Sequence, residues 1–144
     1  MESDLDLDKQ VCFALYSASR SLTALYRPLL GPLGLTYPQY LVMLVLWERG
    51  DISVKRLGDA LMLDSGTLSP LLKRLESAGL VTRRRDPADE RSVVIALTQS
   101  GASLKSRATS IPRTIVQATG VPLRELLQLR DTLKSITATV SSAG

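Results

Sequence analysis

The stretch Leu63–Gly101, LDSGTLSPLLKRLESAGLVTRRRDPADERSVVIALTQSG, decides how the chain folds. Leu68, Leu71, Leu72 and Leu75 recur at three- and four-residue spacing, which marks one buried helix face. Thr67 stands where an N-cap is expected, with Pro70 in the first turn, and Gly79 follows the last periodic residue as a left-handed stop. Leu80-Val81-Thr82 and Ser92–Leu97 are rich in β-branched residues and flank a polar turn, so they read as a hairpin. In and just before this helix stand Ser65, Thr67, Ser69, Lys73 and Arg74, and the hairpin carries Arg83, Arg84, Arg85, Asp89 and Arg91. A polar-faced helix followed by an Arg-rich hairpin is the layout of a winged helix-turn-helix. Such a unit lays its second helix in the major groove and its wing against the neighbouring backbone.

Outward from this unit, Ser53 caps a short helix through Leu61 that would be the positioning helix. Thr36 with Gln39 three residues on forms a capping box for a helix over Tyr37–Arg49, apolar on most sides and expected in the core. Residues 4–27 read as a long first helix, with Val11, Leu15, Ala18, Leu22, Leu25 and Leu29 at 4-3-4-3-4 spacing. Gly31-Pro32-Leu33-Gly34 breaks it. Beyond the hairpin, Thr98 caps a helix running to about Ala118, with a kink or break expected at Pro112, and a last helix runs from Leu123 to about Val140.

The expected architecture is mainly α with a small β-hairpin wing. Residues 1–144 form one domain, with the winged helix-turn-helix over about 51–98 and apolar terminal helices over about 4–30 and 99–141. Two copies pairing through these termini would bury them and supply the two-fold symmetry that DNA half-sites demand.

Charge does not by itself point to DNA. Residues 1–50 carry 4 basic against 5 acidic groups, residues 51–100 carry 8 against 7, and residues 101–144 carry 6 against 2. The signal is the local cluster of Lys73, Arg74 and Arg83–Arg85. Histidine is absent, which removes His-based triads, and one cysteine without histidine leaves no structural zinc site within one chain. No cofactor is expected. A single cysteine, no secretory leader and no membrane-length apolar run suggest a cytoplasmic protein.

The lone Cys12 reads first as a small buried hydrophobe. Its neighbours open a second reading. Cys12, Tyr16, Ser19, Thr23 and Tyr26 follow one another at 4-3-4-3 spacing and line one helix face with S–H and O–H groups. Phenol hydroxyls donate to a thiolate and favour it over the thiol, and Tyr37 at the start of the next helix can add another donor. Cys12 and Tyr26 lie 14 positions apart, about 21 Å along a straight helix at ~1.5 Å per residue. If the two act together, they do so between two copies of the helix packed antiparallel.

The chain resembles the MarR-type winged-helix repressors, and among them the organic hydroperoxide-responsive repressors. The strings that carry the likeness are Val11–Tyr16, Tyr26–Leu30, Leu35–Leu41, Leu46-Trp47-Glu48, Leu63–Leu68, Leu72-Lys73-Arg74 and Asp89–Ser92. The wing motif marks the broad family, and the N-terminal cysteine with its tyrosines marks the narrower group. The resemblance implies an interlocked homodimer on pseudo-palindromic double-stranded operator DNA, with an organic hydroperoxide as inducer. It implies that Cys12 senses the peroxide, that Tyr26 and Tyr37 of the partner subunit hydrogen-bond its thiolate, and that Tyr16 belongs to the same neighbourhood. It further implies that Ser65, Thr67 and Arg74 act in or near the recognition helix, that Arg91 enters the minor groove and that Asp89 orients it. Some relatives have a second cysteine towards the C-terminus. This chain has none and resembles the one-cysteine branch, in which a low-molecular-weight thiol is a further reactant after oxidation.

Three other readings remain at this stage. A repressor released by a small apolar or phenolic ligand would leave Cys12 structural. A single-cysteine peroxidase would share the reactive thiol but has no use for a basic wing. A winged helix that binds protein alone fits Arg83–Arg91 poorly.

Overall fold

The computed structural model describes residues 4–143. After a 3-10 turn at Leu7–Lys9 come helices α1 (Val11–Leu30), α2 (Tyr37–Arg49), α3 (Val54–Leu61) and α4 (Ser65–Ser77). A two-residue strand β1 (Ile52–Ser53) precedes α3, and the hairpin β2 (Val81–Asp86) and β3 (Asp89–Leu97) follows α4. Helices α5 (Gln99–Ser103), α6 (Lys105–Ala108), α7 (Ile111–Thr119) and α8 (Leu123–Ala143) complete the chain. It divides into two compact units, one ending at Thr109 and the other beginning at Ser110. Among the described residues no single helix is long and apolar enough to cross a membrane.

Local chemistry accounts for most helix ends. The Thr36 hydroxyl accepts from the Gln39 N–H while the Gln39 side chain accepts from the Thr36 N–H, closing both halves of the capping box. Ser53 accepts from the Arg56 N–H at 3.1 Å. Gly79 takes φ 76°, and the Leu80 N–H reaches back to the Leu75 carbonyl, so α4 ends in a left-handed turn open to glycine. Met62 holds φ 58° without being glycine, a conformation costing about 1–2 kcal/mol. It closes the tight turn between α3 and α4, in which the Leu63 N–H donates to the Gly58 carbonyl.

The structure corrects the sequence reading in several places. The first helix begins at Val11 rather than at residue 4, because Asp6 and Gln10 adopt extended backbone on either side of the 3-10 turn. Asp64, not Thr67, caps α4: its carboxylate accepts from the Thr67 N–H at 2.7 Å. An ionised carboxylate accepts more strongly than a hydroxyl, so the start moves upstream and Pro70 becomes the sixth residue of the helix. The helix expected over 98–118 is three pieces, and the break before Pro112 places that residue at the start of α7, where its missing N–H costs nothing. The wing strands extend further towards their turn than the apolar residues alone suggest, to Asp86 and from Asp89. The hairpin is also joined by β1, giving an antiparallel sheet of order β1-β3-β2. Ile52 pairs with Ile95 and Arg83 pairs with Ile95 from the other side.

The core of the first unit is built on α2 and α4. Val42, Met43 and Leu46 of α2, Leu57 of α3, Leu68, Leu72 and Leu75 of α4, and Val81 and Ile95 of the sheet are buried. At the α5 end, the Thr98 hydroxyl donates to the Gly79 carbonyl at 2.6 Å and caps α5 at the Gly101 N–H. A Cβ on Gly101 would stand 2.1 Å from the Leu80 carbonyl oxygen, so only glycine lets α5 pack this close to the foot of the wing. The first half of α1 contributes nothing to this core: Val11, Phe13, Leu15 and Tyr16 are all exposed, Val11 at 69%. In the second unit α8 likewise exposes Leu127, Leu129, Ile136 and Val140.

Candidate sensor and DNA-reading surfaces

The four leucines of α4 face the core, which turns Ser65, Thr67, Ser69, Pro70, Lys73 and Arg74 to solvent. Ser65, Ser69 and Lys73 follow one another at four-residue spacing along one edge of the outer face, and Thr67 and Arg74, seven residues apart, lie along its other edge. The Asp64 carboxyl lies below its usual range because the Thr67 backbone N–H, and then the Thr67 hydroxyl, donate to it. Thr67 is thus tied to the start of the helix by both its polar hydrogens.

The wing arginines sort into two kinds. Arg83 pairs with Glu76 of α4 at 3.4 Å, Arg84 pairs with Asp51 before β1 at 3.0 Å, and Arg85 donates to the Glu90 carbonyl at 2.8 Å. These contacts fix the hairpin relative to α4 and to its own turn. Arg91 differs. Its side chain is 96% exposed, and among the described residues its charge meets only the Asp89 carboxylate, at 3.8 Å. Asp89 also accepts from the Arg91 backbone N–H at 3.1 Å, so one carboxylate holds the turn and stands beside the guanidinium. The turn at Asp86–Asp89 carries a register irregularity and a second Asx contact, from the Ala88 N–H to the Asp86 carboxylate.

Cys12 lies on the second residue of α1 and is exposed, which removes the reading of a residue buried within its own chain. Tyr16, one turn on, is exposed and carries the Arg20 guanidinium over its ring at 5.4 Å. The other phenols are elsewhere. Tyr26 near the C-terminal end of α1 meets Tyr37 of α2 with ring centroids 4.6 Å apart, and Tyr40 lies 5.6 Å from Tyr26 and 6.3 Å from Tyr37. The structure therefore brings Tyr26 and Tyr37 together and leaves Cys12 apart from them, 14 positions back along α1 from Tyr26. Tyr40 is the member of the cluster that sequence reasoning missed. Its spacing of three from Tyr37 on one helix was the available signal.

Beside this cluster is a cavity of about 460 Å³ lined by Tyr26, Tyr37, Leu30, Leu35 and Thr36. Burial first, and then the neighbouring Tyr37 and Tyr40, push the Tyr26 phenol up to about 12 from 10.0. Burial also raises Tyr37, and Tyr40 with help from Tyr37. All three keep their protons at neutral pH and can donate hydrogen bonds. Because the folded state holds these protons more tightly, the stabilisation is complete below pH 10 and is lost as pH rises towards 12. An alkaline titration followed by phenolate absorbance should show Tyr26 ionising near pH 12, and ionisation of every phenol at the ordinary value would contradict the packed cluster.

Among the described residues no group of three His, Cys, Asp or Glu side chains could hold a metal ion. The family model "Transcriptional regulator SarA/Rot" matches residues 24–108, a span that holds the phenol cluster and the wing. The organic hydroperoxide resistance transcriptional regulator of Bacillus subtilis strain 168 is 48% identical over 143 residues, 97% of each chain. The structure of reduced AbfR bound to DNA, from the AbfR of Staphylococcus epidermidis, superposes with a TM-score of 0.80 at 33% identity over 94% of this chain and 93% of that one. A MarR mutant of E. coli complexed with operator DNA superposes with a TM-score of 0.77 at 26% identity over 85% and 90%. On these likenesses the chain belongs to the MarR-type winged-helix transcriptional regulators, in their organic hydroperoxide-responsive group with one cysteine.

Proposed function

We propose that the protein is a repressor that holds operator DNA as a homodimer and lets go when an organic hydroperoxide oxidises Cys12. The observation that carries the reading is the separation of the thiol from the phenols: an exposed cysteine at one end of an uncovered apolar helix face, and packed, protonated tyrosines at the other. Two copies of α1 packed antiparallel cover that face and set Cys12 of one protomer against Tyr26 and Tyr37 of the partner subunit. Tyr16 lies one turn from the thiol and joins the same neighbourhood. The exposed apolar helix α8 supplies further dimer contact.

The chemistry balances with the inducer alone. The Cys12 thiolate attacks the terminal oxygen of the hydroperoxide. The S–O bond forms as the O–O bond breaks, and the alkoxide leaves and takes a proton to become the alcohol. The product is a sulfenic acid, which no longer accepts the phenol hydrogen bonds as a thiolate does. A low-molecular-weight thiol can then condense with it, forming a mixed disulfide and releasing water. Cys12 reports the peroxide, so the protein acts as a regulator and not as an enzyme, and a reducing cytoplasm suits a thiol that must start free.

On DNA, α4 enters the major groove with Ser65, Thr67, Ser69, Lys73 and Arg74, and Arg91 enters the minor groove with Asp89 as its guide. Arg83, Arg84 and Arg85 follow one another in β2, on alternate faces of the wing, and add positive charge there while holding the wing in place through Glu76, Asp51 and the Glu90 carbonyl. The test is a gel shift with the promoter beside the gene, with and without an organic hydroperoxide. Retarded DNA that is freed by the peroxide supports the reading, and DNA that stays bound after complete oxidation of Cys12 contradicts it.

A further inference from the structure

The phenol cluster does not end at Tyr40. The Tyr40 ring meets Trp47, two turns further along α2, edge-on with centroids 6.5 Å apart. The indole N–H of Trp47 donates to the Gly101 carbonyl at 3.0 Å. Gly101 in turn presses against the Leu80 carbonyl so closely that no side chain fits. Leu80 is where α4 hands over to the wing, and Thr98 ties the same joint through the Leu80 and Gly79 carbonyls. One continuous line of packed rings and backbone thus runs from Tyr26 to the joint between the recognition helix and the wing.

We infer that Trp47 is the positioning residue through which a change at the phenol cluster reaches the DNA-reading head. This rests on the functional reading above. The physical ground is that packed rings do not compress, so a displacement of Tyr37 or Tyr40 on the first turn of α2 passes along the helix as a rigid shift. At the far end, the indole hydrogen bond converts that shift into a pull on the Gly101 carbonyl. Gly101 lies too close to Leu80 to move alone, so the joint turns with it. The two recognition helices of a dimer then lose their spacing on the two half-sites.

Trp47 is the one tryptophan in the chain, so its emission reports this contact directly. Adding an organic hydroperoxide to the dimer should change the Trp47 emission in step with loss of DNA, and Cys12→Ser should show no change. The companion variant is Trp47→Phe, which keeps an aromatic edge for Tyr40 and deletes the N–H. Its reduced form should bind operator within about twofold of the parent, and Cys12 should oxidise at the parent rate. The ratio of reduced to oxidised affinity should fall by about fivefold, as expected for one lost hydrogen bond. If the emission stays constant while DNA is lost, the inference is wrong even if Trp47→Phe does not fold. It is equally overturned if Trp47→Phe folds and keeps the parent ratio. A parent protein whose oxidised form stays on DNA overturns the functional reading, and this inference falls with it.

Discussion

Cys12→Ser should bind operator DNA within about twofold of the parent protein and should remain bound after treatment with an organic hydroperoxide. Removing a coupling removes the whole of the release, not a fraction, because the chain has one cysteine and no other thiol can answer. The side chain is exposed at the start of α1, so replacing sulfur by oxygen disturbs no packing within the protomer. The measurement is a pair of binding curves, with and without peroxide, for each protein. A serine variant that releases as the parent does would remove Cys12 from the mechanism and favour release by a bound ligand, with the cavity beside Tyr26 as its place.

Arg91→Ala should weaken operator binding by about tenfold for each wing, and so by about a hundredfold for a dimer with both wings altered, at matched salt. The fold should barely notice, within about 0.5 kcal/mol, because the side chain is 96% exposed and packs on nothing. Arg84→Ala makes the useful contrast. It breaks the pair with Asp51, so part of its effect comes from a looser wing rather than from a lost groove contact. Unchanged affinity of Arg91→Ala would show that the wing tip does not reach the DNA.

Much of this arrangement was legible in the sequence. The capping box at Thr36 and Gln39, the cap at Ser53, the stop at Gly79 and the break at Pro112 are local devices, and each appears where its residues put it. What the sequence concealed depends on competition or distance. Asp64 displaces Thr67 as cap because two good candidates stand three residues apart and the charged one accepts better. β1 is two residues long, too short for any periodicity, and exists only because Ile95 lies opposite. The basic cluster looked uniform in one dimension, whereas folding brings Glu76 and Asp51 to Arg83 and Arg84 and leaves Arg91 extended. The cysteine and tyrosines were visible as residue types. Their partition into an exposed thiol and a packed phenol cluster containing Tyr40 follows from the 69° bend between α1 and α2, which lays Tyr37 and Tyr40 against Tyr26 and which no spacing rule states.

The central claim is that the thiol of one protomer works against the phenols of the other, and two mixed dimers test it most directly. In the first, one protomer carries both Cys12→Ser and Tyr26→Phe and its partner is unaltered. In the second, one protomer carries Cys12→Ser and the other carries Tyr26→Phe. Each dimer has a single cysteine, and the rate of its oxidation by an organic hydroperoxide is measured at neutral pH. The account predicts slow oxidation in the first dimer, where the cysteine faces the altered Tyr26, and the parent rate in the second, where it faces an intact one. The parent rate in the first and slow oxidation in the second would place thiol and phenol in one chain and contradict the antiparallel pairing of α1.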